Sequence, residues 1–133
     1  MGLDMYLTGE RFFTSFDGER PKRDGLPIER EIIAFHAWRK HANLHGFIVQ
    51  QFADGEDNCE PIVLSMEGLA TIAEAVKAGQ LPDTSGFFFG YAGYDPAAER
   101  QTDLGVIHAA MNWLNITKDE KGVWADVYYR ASL

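Results

Sequence analysis

Apolar and polar residues alternate from the start of the chain, with Leu3, Met5 and Leu7 set against Asp4, Tyr6 and Thr8. A period of two marks a strand with one face in a core. Arg11 to Phe16 is a second extended run. From Asp17 to Pro27, Gly, Pro and charged residues crowd together, which predicts a solvent-exposed loop. Glu29 to Phe35, with Ile32 and Ile33, is either a strand returning on Arg11–Phe16 or the first turns of a long helix, and the strand is preferred.

The period lengthens from about Ala37 to Ala53. Trp38, Ala42, Val49 and Phe52 share one broad face, and Arg39, Asn43, Gly46 and Gln50 recur on the other, which predicts a helix. Gly46 inside it costs about 1 kcal/mol relative to Ala. Asp54 to Glu60 is an acidic turn, and Pro61 to Leu64 is a short buried strand. Ser65 is a side-chain cap for a helix from Met66 to Ala78, ended by Gly79. Gly86-Phe-Phe-Phe-Gly90 is an apolar run bounded by glycines, read as a buried strand. Asp95-Pro96 opens a helix that runs to about Ile116, with Leu104, Ile107, Met111 and Leu114 on one stripe. After a turn at Lys118–Gly122, Val123 to Ala131 alternates again as a last strand. The fold expected is one α+β domain over residues 1–133: a mostly antiparallel sheet with about three helices packed against it.

A chain of 133 residues suits one domain, and an aromatic content of 13% argues against disorder. The formal charge of −8, from 12 Lys and Arg against 20 Asp and Glu, opposes binding to nucleic-acid phosphates. An acidic surface that inhibits a host factor by binding it is consistent with that charge. The single cysteine, Cys59, allows no intrachain disulfide and fits a reducing compartment. Residues 1–7 lack the basic start and apolar stretch of a signal peptide, and no apolar run is long enough to span a membrane. A cytoplasmic protein is expected.

The densest polar stretch is Trp38 to His45. His41 and His45 are four apart, so one helix face could present both to a metal ion, with Asp57, Cys59, His36 or His108 as a third ligand. A metal-dependent hydrolase or nuclease is the corresponding function, although the glutamate of a His-Glu-x-x-His base motif is missing. Cys59 lies among acidic residues that disfavour a thiolate nucleophile, and no Gly-x-Ser-x-Gly turn occurs. No phosphate-loop or dinucleotide fingerprint occurs either, so no cofactor is expected. The remaining candidate is an assembled ligand site of Arg39, Lys40, Asn43 and His45 with Asp4, Tyr6, Tyr128 and Arg130. It requires the first and last strands to be neighbours. Such a set suits a small anionic or nucleotide-like ligand; the other reading is a structural network in which Arg39 and Arg130 pair with Asp4 or Asp126.

The chain also resembles a family of small phage and prophage proteins. The resemblance lies in Met-Gly-Leu-Asp-Met-Tyr-Leu at residues 1–7, Trp38-Arg39-Lys40 followed by His45, Gly-Phe-Phe-Phe-Gly at 86–90, and Tyr128-Tyr129-Arg130-Ala131-Ser132 near the end. Ala37, Arg130 and Leu133 stand where that family usually has an aromatic residue, Gln and Trp. The resemblance implies a viral accessory protein made in a bacterial cytoplasm; a small anionic ligand or a host protein as its partner is expected from the polar cluster and the acidic charge instead. The resemblance implies no reaction.

Overall fold

The computed structural model describes residues 3–13, 20–39, 41–57, 59–79, 96–120 and 122–132. The alternation at the start of the chain becomes β1 (Asp4–Phe13), one long strand that takes in Arg11 to Phe13 of the second expected run; the rest of that run, to Phe16, lies outside the described residues. The charged loop carries a small exposed ribbon of β2 (Lys22–Arg23) and β3 (Leu26–Pro27). Its turn is Asp24-Gly25, both at positive φ (52° and 79°), the geometry that favours this dipeptide in two-residue hairpins. The chain then returns antiparallel along β1 as β4 (Arg30–Arg39).

β4 corrects the sequence reading. Trp38 and Arg39 were expected on a helix, but they end this strand, with Met5 opposite Trp38 and Asp4 opposite Arg39. The helical period begins only at α1 (Ala42–Phe52), with His41 at its N-cap position. The pairing with β1 overrides the local helical pattern because it buries Trp38 on the core face of the sheet. A bulge makes this burial compatible with the first half of the strand, since the β1–β4 register shifts between Leu7 and Thr8. Before the shift Glu31, Ile33 and Phe35 face inward; after it His36 and Trp38 do.

β5 (Ile62–Leu64) is a short edge strand, and its middle residue Val63 is exposed, so it is not wholly buried as expected. α2 (Met66–Lys77) starts at Ser65, whose Oγ accepts from the Gly68 backbone N–H at 3.0 Å. α3 (Pro96–Thr117) begins at the expected proline; Asp95 and the Gly86–Gly90 run lie outside the described residues. β6 (Val123–Ser132) completes a four-stranded sheet in the order β4-β1-β6-β5, antiparallel throughout. This is the α+β architecture expected from the sequence.

The three helices of the described residues occupy one side of the sheet. Leu3, Met5 and Leu7 of β1, Val127, Tyr129 and Ala131 of β6, and Leu64 meet Leu44 and Ile48 of α1, Leu69, Ile72 and Val76 of α2, and Ile107 of α3. Gly9 continues the inward row of β1. A Cβ placed there would lie 2.9 Å from Phe35 and from Trp113, so only Gly lets these two rings close over the strand. No helix of the described residues is long and apolar enough to cross a membrane.

Candidate functional site

Pairing of β1 with β6 sets Tyr6 opposite Arg130 and Thr8 opposite Tyr128. The condition for the assembled ligand site, neighbouring first and last strands, is therefore met. Alternation puts these side chains on the sheet face opposite the helices. Across that face run Ala37, Tyr6 and Arg130 in one row, Ala34, Thr8, Tyr128 and Val63 in the next, then Ile32, Glu10 and Asp126, and Arg30, Phe12 and Trp124. Ile32, Val63 and Trp124 are exposed there.

The centre of the face is a depression of about 390 Å³ lined by Thr8, Glu10, Phe12, Arg30, Ile32, Pro61, Tyr128 and Arg130. Two guanidinium groups flank it. Arg130 lies over the Tyr6 ring at 5.9 Å, and Arg30 lies over the Phe12 ring at 5.8 Å. Among the described residues neither arginine forms an ion pair; those ion pairs use Arg11, Arg39, His41 and His45. Stacking on a ring uses the face of a guanidinium and not the N–H donors at its edge. Asp126 is engaged by its own strand, accepting from Trp124 Nε1–H at 3.0 Å and Tyr128 Oη–H at 3.4 Å. Burial pushes the Tyr128 phenol up, and the Asp126 and Glu10 carboxylates add to the effect, so it stays a hydrogen-bond donor.

Other candidates are placed differently. Arg39 pairs with Asp4 at 3.2 Å on the same open face, its side chain 79% exposed. Asn43 is half-buried in the first turn of α1, on the helical side of the sheet. Lys40 lies outside the described residues. The expected grouping therefore divides: Asp4, Tyr6, Tyr128, Arg130 and Arg39 share the open face, while His45 is behind it. Arg30, Phe12, Thr8 and Glu10 were not foreseen as members. Their signal was present in the spacing, because Thr8, Glu10 and Phe12 continue the Asp4–Tyr6 row at every second residue.

The two histidines occupy separate networks. His45 is bracketed by Tyr129 Oη at 2.6 Å from Nδ1 and by Asp57 Oδ2 at 2.9 Å from Nε2. The Asp57 carboxylate accepts, so Nε2–H donates to it, and the Tyr129 hydroxyl donates to Nδ1. Tyr129 is 1% exposed. Burial, with the Asp57 charge, pushes its phenol well up, which keeps it protonated in this role. Both nitrogens of His45 are thus engaged, and it shares no ligand geometry with His41.

His41 instead meets α3. Its Nε2–H donates to Asp103 Oδ2 at 2.6 Å, and Glu99 Oε1 is 3.4 Å from the same nitrogen. Trp38 Nε1–H donates to the other oxygen of Asp103 at 2.8 Å. Glu99 and Asp103 are four apart on one helix face, the spacing that would have pointed to them in the sequence. Cys59, exposed at a positive φ of 62°, belongs to neither network.

No protein-family model matches this chain, and no curated protein or solved structure matches it either.

Proposed function

We propose that this protein is a phage or prophage accessory protein of the bacterial cytoplasm. It acts by binding, and its ligand is a small anionic, nucleotide-like molecule held on the open face of the sheet. The carrying observation is the depression between Arg30 and Arg130. Two arginines that form no ion pair among the described residues and are held over aromatic rings supply donors for an anion, and the Tyr128 ring lines the same depression. The viral origin rests on the sequence resemblance.

A second reading uses the same face for a host protein. It is favoured by the exposed Ile32, Val63 and Trp124 around the depression, and the net charge of −8 suits a basic partner. The metal-dependent hydrolase built on His41 and His45 has less support, because Tyr129 and Asp57 occupy both ring nitrogens of His45.

Calorimetric titration with nucleoside mono-, di- and triphosphates tests the first reading. Binding should weaken as salt rises, and the Arg30→Ala/Arg130→Ala double variant should lose at least tenfold in affinity with little change in melting temperature. Absence of heat from every nucleotide at millimolar concentration, or undiminished binding by the double variant, would refute it. Salt-sensitive capture of a host protein that depends on Trp124 would favour the second reading.

A further inference from the structure

We infer that His41, Glu99 and Asp103 form a binding site for one divalent transition-metal ion, which clasps α3 to the junction of β4 and α1. One ligand atom from each residue lies within 4.8 Å of the other two. The donors come from two separate parts of the chain. His41 stands where β4 gives way to α1, and Glu99 and Asp103 are successive turns of α3.

Three further observations make this more than a collection of charges. The site is built into the protein: His41 is 4% exposed and Asp103 1%, while the Glu99 side chain, 25% exposed, gives it an edge toward solvent. Asp103 is oriented from behind. Trp38 Nε1–H takes Oδ1, leaving Oδ2 directed at His41, which is the arrangement by which an outer hydrogen bond fixes a metal-binding carboxylate. Charge completes the case. Two carboxyl groups stand against a single imidazole in a poorly hydrated site, a donor set whose acidic groups a divalent cation would balance.

One nitrogen and two carboxylate oxygens match zinc or manganese by donor type, and the small size of the set leaves a coordination position for water. The hydrogen now on Nε2 departs when the ring becomes a ligand, to Nδ1 from a neutral ring or to solvent from a charged one. The site lies on the helical side of the sheet, away from the arginine depression. It therefore stands or falls independently of the ligand proposed there.

The test is metal content and calorimetric titration of the full chain with Zn²⁺ and Mn²⁺, using Mg²⁺ as the hard-cation control. One equivalent of Zn²⁺ or Mn²⁺ should bind and raise the melting temperature. Glu99→Gln, at the solvent-facing edge, should weaken binding by at least tenfold while leaving the far-ultraviolet spectrum unchanged. Trp38→Phe should weaken it by about 10–100-fold by releasing Asp103. His108→Ala, at an exposed position on the same helix, should leave affinity unchanged. No stoichiometric binding by the wild-type chain would overturn the assignment. So would binding that survives Glu99→Gln undiminished or disappears with His108→Ala, since either places the ion elsewhere.

Discussion

Tyr129→Phe removes one oxygen from the centre of the core and tests the His45 network directly. The ring remains, so packing against α1 is little changed. The lost hydroxyl is the 2.6 Å partner of His45 Nδ1, and His45 is only 7% exposed. An acceptor left unpaired at such a depth costs about 1–3 kcal/mol, which is the loss expected at pH 7 in urea-induced unfolding. A second signature appears in alkali. The unfolded phenol loses its proton near its ordinary value of 10.0, whereas the native one is held well above it. Between those values the native state binds the additional proton, so native stability falls as pH rises. The slope from this group approaches about 1.4 kcal/mol per pH unit. By pH 11 the wild-type advantage over Tyr129→Phe should therefore have shrunk by about 1.4 kcal/mol, with the remaining tyrosines and lysines common to both proteins. Parallel stability curves from pH 8 to 11, or a variant as stable as wild type at pH 7, would refute the role given to this hydroxyl.

Two other substitutions probe local packing. Gly9→Ala places a methyl group 2.9 Å from both Phe35 and Trp113; thermal melting should show a loss of about 1–3 kcal/mol from overpacking. Ser65→Ala removes the acceptor for the Gly68 N–H at the start of α2 and should cost about 1 kcal/mol in chemical denaturation.

Much of the fold was legible because single-faced elements advertise their period. β1 and β6 alternate so regularly that their inward rows, Leu3–Met5–Leu7 and Val127–Tyr129–Ala131, are the core rows of the structure. Ser65 and Pro96 mark helix starts by local chemistry alone. The stretch from Ala37 to His41 misled because its neighbour is distant in sequence. Nothing local announces that Asp4 and Met5 will pair with Arg39 and Trp38. Once that boundary moves, Arg39 and Asn43 no longer share a helix face, and the site expected around them divides. The carboxylates of the histidine networks were harder to assign. Asp57 was one of several conceivable neighbours, while Asp103 and Glu99 reach His41 only through the docking of α3, at a sequence separation of 62 for the Asp103 bond. The Arg30–Arg130 depression likewise exists only through the register of three strands.

The β4 bulge has a consequence of parity. Arg30, Ile32 and Ala34 are even-numbered and face the open side, yet even-numbered Trp38 faces the helices, because one unmatched residue resets the count midway along the strand. In an unbroken strand Trp38 would project outward, and the carboxylate of Asp103 would lose its indole donor. A single extra position thus lets one strand contribute Arg30 to the exposed depression and Trp38 to the buried histidine network, serving both sides of the protein along ten residues.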